Sequence, residues 1–428
     1  MSRLVALGLL GALTFAYGCG GSSSTSSSTS SSLTNASSTQ NSVPVTVDGG
    51  PPGIAPDYVN AGFVSVTVCV PGTTNCQTID HVLVDTGSSG LRILKSGTAS
   101  LTIPLVQEAN LVECFQFVTS FTWGPVMMAD VKLAGETASN IPIQVIGESD
   151  TGYPNVPSAC QNSVPPSDCS GSQDCSADTL QTLGANGIIG LSYFIQDCGS
   201  GCASSASASS IGLYYSCPTS SSCATTAVSL AQQVPNPVSA FAADNNGVLV
   251  QMPSVASSGA ATATGTLYFG IGTQSNNGLG SATVFHLDPY GNFTTVYNNQ
   301  SYPGSFVDSG SNGIFFLDSS LTGMSDTNCG GTTGVWYCPG STTNFPTTNQ
   351  GTSGSEAVSF SAANANVLLA GTDTAFNDLT GPNPSCFVNP NTTAPCFDWG
   401  LAFFYGRSVF AAIEGANTPA GAGPYLAY

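Results

Sequence analysis

Two short segments of this chain carry side chains that could do chemistry together. The hexapeptide Asp85–Gly90 (DTGSSG) recurs as Asp308–Gly313 (DSGSNG), 223 residues further on (308 minus 85). Each copy begins with a carboxylate, followed by residue types that form tight turns. Two carboxylates brought together can share one proton and activate a water molecule. Peptide-bond hydrolysis is therefore the leading interpretation of this pair.

Apolar residues flank both hexapeptides and indicate how the carboxylates are positioned. Val82–Val84 precedes the first copy and Phe306–Val307 precedes the second. More apolar residues follow each copy, namely Leu91, Ile93, Ile314, Phe315 and Phe316. Short apolar runs bounded by turn residues are typical of buried strands. The sequence thus predicts that a buried strand delivers a carboxylate to a turn, and that this unit is built twice.

The composition excludes several other kinds of site. Charged residues make up 7% of the 428 residues, with 24 acids against 5 bases. The bases do not cluster, so nucleic acid or an anionic membrane surface would find no basic patch to bind. The two histidines, His81 and His286, are too few for a multi-histidine metal site, and neither accompanies a nucleophile motif. Carboxylates and hydroxyls must carry the chemistry, and no metal or cofactor is expected.

The cysteines indicate an oxidising compartment. There are 15 of them, and setting Cys19 aside with the N-terminal segment leaves an even 14, enough for seven disulfides. Connectivity does not follow from sequence, but several cysteines are close neighbours: Cys69 and Cys76, Cys198 and Cys202, Cys217 and Cys223, Cys329 and Cys338, and Cys386 and Cys396.

The N-terminal segment predicts export. In residues 1–18, typical of a signal peptide, Arg3 precedes an apolar stretch that is too short to span a bilayer. The stretch ends in a sequence that resembles a bacterial lipoprotein cleavage site, with Cys19 as the acylated residue; an ordinary signal peptide cut nearby is the alternative. Residues 19–42 are mostly serine, threonine and glycine, which predicts a flexible tether. We expect secretion across the inner membrane and lipid anchoring in the bacterial cell envelope, in the periplasm or at the cell surface.

The rest of the chain is predicted to be all-β. Valines at positions 64, 66, 68 and 70 alternate with other residues, which is the period of a half-buried strand. Glycine, proline, asparagine and serine punctuate the sequence, and helical periodicity is scarce. Further strands are predicted at 111–118, 126–133, 141–146, 265–271, 356–360 and 408–413, and one short helix is predicted near 226–233.

Composition also predicts the domain organisation. A stretch rich in serine, alanine, glycine and threonine at 253–264 marks a boundary between an N-terminal β lobe, residues 43–252, and a C-terminal β lobe, residues 253–428. The cysteine-rich regions 150–185 and 198–226 are predicted to be disulfide-stapled surface insertions. Residues 320–355 are predicted to form a loop.

The hexapeptides and their surroundings resemble the pepsin-like, two-lobed aspartic peptidases. Val84–Ser89 and Val307–Ser311 resemble the two active-site loops of that family. Other elements follow in the family's order: Gly187–Leu191 and Trp399–Phe404 resemble the segments that cross behind the loops, Gly265–Ile271 the strand that opens the second lobe, and Pro424–Ala427 the closing strand. The resemblance covers most of residues 62–428. It implies a bilobal β fold with an active-site cleft between two related lobes.

The resemblance also implies roles for the loop residues. Asp85 and Asp308 would be the catalytic pair that activates water for attack on a polypeptide substrate, without a covalent intermediate. A monomer is expected. Six supporting residues complete the pattern: Thr86 and Ser309 to lock the loops together, Gly87 and Gly310 to approach closely and donate amide hydrogens, and Ser88 and Ser311 to bind the outer carboxylate oxygens.

Two departures from the family pattern leave a second function open. Alignment on Val131–Gly135 puts Phe117 where the family has a tyrosine on a hairpin that covers the substrate, so Phe117 is either a flap aromatic or a core residue. Arg92 stands where the family usually has a tryptophan that partners this tyrosine. The alternative is a catalytically inactive bilobal protein at the cell surface that binds a peptide or a glycan in its cleft. An adhesin or envelope scaffold is a third interpretation.

Overall fold

The computed structural model describes residues 40–428, apart from residues 99, 148–150, 165–174, 331–334, 384–385 and 390–391. The first eleven strands are β1 Ser42–Val47, β2 Phe63–Cys69, β3 Cys76–Asp85, β4 Ser89–Leu94, β5 Val106–Gln116, β6 Phe121–Leu133, β7 Glu136–Ile146, β8 Gly187–Leu191, β9 Tyr214–Thr219, β10 Ser222–Thr225 and β11 Gly247–Gln251. The others are β12 Ala263–Phe269, β13 Val284–His286, β14 Phe293–Tyr297, β15 Gln300–Val307, β16 Ile314–Phe316, β17 Thr343–Gln350, β18 Ser355–Ala362, β19 Thr380–Pro382, β20 Cys386–Asn389, β21 Thr392–Ala394, β22 Asp398–Trp399, β23 Ser408–Ala412, β24 Asn417–Thr418, β25 Gly421–Ala422 and β26 Tyr425–Ala427.

The helices in the described part of the chain are short. They are α1 Ser158–Gln161, α2 Leu180–Leu183, α3 Ser205–Ile211, α4 Ser319–Thr322, α5 Ala365–Leu368 and α6 Leu401–Phe404, with 3₁₀ turns at Gly199–Gly201, Leu230–Gln232 and Pro237–Ala240. None of these helices is long and apolar enough to cross a bilayer.

Six strands in the first half of the chain pair into a closed ring. Their order is β6, β7, β4, β8, β3 and β2, and β2 pairs again with β6, with Val68 opposite Val131. The alternation predicted for β2 is present, since Val64, Val66 and Val68 are buried while Ser65 is exposed. The ring therefore follows from the period-2 pattern, which turns every second side chain toward the core.

The second half forms a seven-stranded sheet around an aromatic core. The strand order is β18, β17, β14, β15, β22, β16 and β19. The Phe316 ring lies 4.8 Å from the Phe345 ring, 4.9 Å from the Phe360 ring and 5.5 Å from the Phe397 ring. Trp399 stacks on Phe397 and is fully buried. These rings bury a large apolar area directly behind the second hexapeptide.

A third set of antiparallel strands links the halves. Strands β1, β12, β11, β23, β26 and β13 pair in that order, and β1 also pairs with β2 of the ring. The link therefore combines the beginning, the middle and the end of the described chain. The predicted boundary between residues 252 and 253 falls in the connection between β11 and β12, and it stays a prediction.

The two halves repeat one pairing scheme. In the first, β3 pairs parallel with β8, β8 antiparallel with β4, and β4 parallel with β7. In the second, β15 pairs parallel with β22, β22 antiparallel with β16, and β16 parallel with β19. The predicted all-β class with two related lobes is confirmed.

Two regional predictions need correction. The expected loop at 320–355 contains β17, which pairs along its full length with β18. The expected surface insertion 198–226 contains β9, which extends the sheet beyond β5 and buries Tyr214 and Tyr215. Strand β17 was hidden by its polar sequence, because Thr347 and Asn349 occupy inward positions that usually hold apolar residues. The helix expected near 226–233 is a single 3₁₀ turn.

Six disulfides join described cysteines. Five are the neighbouring pairs named from the sequence, and the sixth joins Cys114 in β5 to Cys160 in α1. Disulfides form and persist in oxidising compartments, so the protein belongs in an extracytoplasmic environment. The predicted signal peptide, Cys19 and nearly all of the tether lie outside the described residues.

Candidate active site

Equivalent strands deliver the two predicted carboxylates to one place. Asp85 is the last residue of β3, and Asp308 directly follows β15. Leu83 pairs with Ile188 of β8, and Phe306 pairs in the same way with Asp398 of β22. The register of both parallel pairs is therefore identical relative to the two acids. The two copies of the hexapeptide therefore have equivalent positions in the two halves of the fold.

The two carboxyl groups contact each other and lie within hydrogen-bond reach. A β-carbon built on Gly87 would lie 2.7 Å from the carboxyl carbon of Asp308, and one built on Gly310 would lie 2.8 Å from Oδ1 of Asp85. Each loop thus packs its glycine against the carboxylate of the other loop. A side chain at either glycine would occupy the space that the acids need.

Each carboxylate accepts hydrogen bonds from its own loop. The Gly87 amide donates to Asp85 Oδ1 and the Gly310 amide donates to Asp308 Oδ1, both at 2.8 Å. On the outer oxygens, Ser88 donates to Asp85 Oδ2 and Ser311 lies 2.9 Å from Asp308 Oδ2. Because these donors fix both oxygens of each group, the carboxylates are held in one orientation.

Thr86 and Ser309 join the loops across the lobe interface. The Thr86 amide donates to Ser309 Oγ at 3.1 Å, and the Ser309 amide donates to Thr86 Oγ1 at 2.9 Å. The Ser309 hydroxyl in turn donates to the Val84 carbonyl at 2.8 Å. All eight loop residues singled out from the sequence are therefore brought together.

The environment of the pair favours a shared proton. Asp85 and Asp308 are both 0% exposed. Burial, and then the charge of Asp308, hold the pKa of Asp85 well above its usual range. Tyr193, in the connection after β8, has its pKa raised by burial and by the charge of Asp308, so its phenol stays protonated. One proton between the two acids leaves a single negative charge in this buried place.

A third acid, Asp398, joins the site and was missed from the sequence. Its Oδ2 lies 2.7 Å from the Ser311 hydroxyl, and the residue is 1% exposed. Burial, followed by the charge of Asp308, raises its pKa well above the usual value. One sequence signal was available: Phe397–Gly400 aligns with Gly187–Gly190, and an acid stands there in an otherwise apolar segment.

Phe117 and Arg92 are both buried. Phe117 lies in the turn between β5 and β6, is 3% exposed and packs edge-on against Phe115, so it occupies a core position, and its role as a flap aromatic stays a prediction. The Arg92 guanidinium stacks over Phe115, 3.5 Å from the ring centroid. It also pairs with Glu113 at 2.7 Å and with Asp197 at 3.0 Å. This buried ion cluster joins β4, β5 and the segment that follows β8.

No group of three or more histidine, cysteine, aspartate or glutamate side chains in the described ranges is arranged to hold a metal ion. Within the same ranges, His81 pairs with Asp48 at 3.3 Å and with Asp80 at 3.1 Å, in a partly exposed cluster. His286 accompanies Ser353 at 2.9 Å. The described chemistry of the site is that of carboxyl, hydroxyl and backbone amide groups.

The fold and the site define an all-β protein of two related halves that meet at a buried pair of acids. The chain belongs to the family described as protein of unknown function DUF3443, whose sequence model matches residues 37–428. A search of curated proteins finds no match. Among solved structures, one similar chain is the aspartic proteinase from Irpex lacteus, with 15% sequence identity and a TM-score of 0.46; the match covers 90% of this chain and 96% of that one.

Proposed function

We propose that this protein is an aspartic-type endopeptidase that hydrolyses peptide bonds with a water activated by Asp85 and Asp308. The observation that carries the proposal is the contact between the two carboxyl groups, each presented by an equivalent strand and turn. If each hexapeptide were only a local β-turn, the two would have no need to meet. Instead they are joined by the reciprocal Thr86–Ser309 bonds and by the contact of each glycine with the acid of the other loop.

The mechanism needs one proton on the pair. The ionised acid takes a proton from the water as its oxygen attacks the scissile carbonyl carbon, while the protonated acid donates to the carbonyl oxygen. In the second step the tetrahedral carbon expels the amine, which receives a proton from the pair. One hydroxyl group of the tetrahedral carbon returns its proton to the pair as the carbonyl reforms as a carboxylic acid, so the pair regains its original proton count. No covalent intermediate is formed with the chain.

Substrate access requires an open form of the protein. Both acids are 0% exposed, so an extended polypeptide and its attacking water can reach them only after the surrounding segments separate. One contact near the site lies between the connections that follow β8 and β13, where a β-carbon on Gly291 would lie 3.2 Å from the Phe194 ring. Opening of this kind would also admit solvent and lower the pKa of the pair toward ordinary values.

Hydrolysis of a reduced, unfolded protein substrate tests the proposal. Asp85→Asn and Asp308→Asn keep the shape of the side chain but remove the acid, and each is expected to lower kcat/KM by about 10³-fold or more. Asp57→Asn is the control, because Asp57 is exposed whereas both members of the pair are fully buried. Cleavage by both pair variants at the wild-type rate would contradict the proposal.

The proposed location is the cell envelope, with Cys19 lipidated and the serine-rich segment serving as a tether for a monomeric body. The six disulfides support an exported protein, and the lipoprotein-like sequence before Cys19 supports the anchor. Incorporation of labelled palmitate into the full chain in a bacterial host, and its loss in Cys19→Ser, would test the anchor. Equal labelling of both proteins would refute it.

A second candidate is a catalytically silent surface protein that binds a peptide or a glycan. The observations that favour it are the complete burial of both acids and the burial of Phe117. It predicts saturable binding that Asp308→Asn leaves unchanged, without hydrolysis from about pH 3 to about pH 8. Binding that is lost in Asp308→Asn would favour the peptidase.

A further inference from the structure

Ser311 lies between two buried carboxyl groups. Its hydroxyl oxygen is 2.9 Å from Oδ2 of Asp308 and 2.7 Å from Oδ2 of Asp398. Both distances are those of hydrogen bonds between oxygen atoms. A serine hydroxyl has one hydrogen, so it can donate to only one of these oxygens. The other carboxyl group must then be protonated and donate to Ser311.

The partners of Asp398 decide which way the chain of hydrogen bonds runs. Its other oxygen, Oδ1, is buried and has no hydrogen-bond partner among the described residues. An ionised carboxylate with one bare oxygen would lose its hydration without compensation, whereas a neutral carboxyl group would lose much less. Asp308 differs, because its Oδ1 accepts from the Gly310 amide. The proton therefore belongs on Asp398, and Ser311 donates to Asp308.

The first lobe has no such arrangement. Ile188 occupies the position in β8 that Asp398 occupies in β22, because Ile188 pairs with Leu83 and Asp398 pairs with Phe306. Ser88 accordingly donates to Asp85, and no second acid among the described residues bonds to Ser88. The two otherwise equivalent acids are thus made unequal by one residue. Ser311 donates to Asp308 and itself accepts a hydrogen bond from Asp398, which strengthens its own donation. Ser88, the donor to Asp85, has no such support among the described residues.

We propose that Asp398 is a positioning residue that stays protonated, donates through Ser311 to Asp308, and thereby makes Asp308 the ionised member of the pair and Asp85 the proton carrier. This inference rests on the proposed function for its catalytic meaning. In peptide hydrolysis, Asp308 would then take the proton from water and Asp85 would donate to the carbonyl oxygen. Each transfer is balanced within the pair, and Asp398 neither gains nor loses a proton in the cycle.

The groups that face Asp398 agree with a neutral side chain. The charged groups acting on it are Asp308 and Asp85, both acids, and its flanking strand residues Phe306 and Phe315 are apolar. Tyr193, which lies near Asp308, remains a neutral phenol. If Asp398 ionised, the Ser311 hydrogen would turn toward it. Asp308 would then lose a hydrogen-bond donor and gain a negatively charged neighbour. Nothing would then favour Asp308 over Asp85 as the ionised member of the pair.

Carboxyl ¹³C NMR of the aspartate-labelled full-length protein tests the inference without relying on activity. The resonance that disappears in Asp398→Asn identifies Asp398, and we expect it to stay at the protonated position to a higher pH in the folded protein than in the unfolded chain. In Asp398→Ile, which copies Ile188, the Asp308 resonance should titrate higher by about half a pH unit or more, because its donor is no longer reinforced. Ionisation of Asp398 in the folded wild type at the same pH as in the unfolded chain, or at a lower pH, would overturn the inference, whether or not the isoleucine variant folds.

Kinetics adds a second readout. Asp398→Ile should lose about tenfold in kcat/KM and shift the acidic limb of the pH profile upward, while Asp398→Asn, whose amide can still donate to Ser311, should lose about threefold or less. Equal losses in both variants with unshifted profiles would show a packing role only and contradict the inference. If hydrolysis is absent but Asp398 stays protonated and Asp308 responds as expected, the proposed function fails while the hydrogen-bond assignment stands. Hydrolysis together with an ionised Asp398 would support the proposed function and refute the hydrogen-bond assignment.

Discussion

Thr86 and Ser309 each use a backbone amide to donate to the hydroxyl oxygen of the other, at 3.1 Å and 2.9 Å. The bonds cross from one lobe to the other and lie beside the acid pair. Because the two residues hold one another, neither loop can shift alone. The distance between Asp85 and Asp308 is therefore set also by bonds between backbone amides and hydroxyl groups, and not only by the flexible carboxyl groups themselves.

Thr86→Val is expected to destabilise the fold. Valine fills the same volume but leaves the buried Ser309 amide without an acceptor, which costs about 1–3 kcal/mol. The free energy of unfolding in denaturant measures the effect. Thr67→Val is the matched control, because Thr67 contacts Thr78 on an exposed face, and its effect should stay within about 0.5 kcal/mol. Equal effects of the two substitutions would show that the crossed bonds do not hold the loops.

Gly87→Ala is expected to separate the acids. The added carbon would lie 2.7 Å from the Asp308 carboxyl carbon, so that group must move. Overpacking of this kind costs about 1–3 kcal/mol of stability, and displacement of the pair should lower hydrolysis by about 10²-fold. Gly340→Ala is the control, since nothing lies within 4 Å of a β-carbon there. A fully active and stable Gly87→Ala would mean that the pair has more room than the geometry allows.

Arg92→Met should be more damaging than an ordinary surface change. Arg92 is 0% exposed and is the cation for both Glu113 and Asp197. Its removal leaves two buried acids without their positive partner, which costs about 3–5 kcal/mol. Lys132→Met, on a partly exposed site of β6, should change stability by less than about 0.5 kcal/mol. Urea unfolding midpoints compare the two variants, and similar midpoints would argue against the importance of the ion cluster.

The buried acids predict a stability that depends on pH. Burial raises the pKa of Asp398 in the folded state, so the folded protein binds this proton more tightly than the unfolded chain does. The corresponding stability is present below the unfolded pKa, about 3.9, and is lost as the pH rises toward the folded pKa. Asp398→Asn cannot ionise, so it should lose at least about 1 kcal/mol less than the wild type between about pH 4 and about pH 7. A curve for Asp398→Asn that runs parallel to the wild-type curve would refute the prediction.

Local sequence was sufficient for the parts of the site that are built from neighbouring residues. The repeated hexapeptides predicted the turns around Asp85 and Asp308, because glycine and hydroxyl residues that follow a buried strand favour a turn. The predicted strands at 64–70, 126–133 and 408–413 lie in β2, β6 and β23, where apolar residues dominate the pattern. The five short-range disulfides likewise join cysteines that are 4 to 10 residues apart.

Contacts between distant segments were not predictable in this way. Cys114 and Cys160 are 46 residues apart and meet only because α1 packs beside β5. Asp398 is 90 residues from Asp308 (398 minus 308), and only the parallel pairing of β15 with β22 brings them to one serine. Phe117 could have been a flap or a core residue, and it is buried in an apolar cluster with residues distant in sequence, such as Leu83 and Leu183. In each case the deciding interaction is tertiary.

Binding of a statine-type peptide, whose hydroxyl group takes the place of the water between the two acids, tests the central claim most directly. Calorimetric titration should show one site on the wild-type protein, inhibition of hydrolysis at the same concentration, and affinity lower by about 10²-fold or more in both Asp85→Asn and Asp308→Asn. Binding that neither substitution weakens, or hydrolysis that a bound inhibitor leaves intact, would contradict a water activated by this pair.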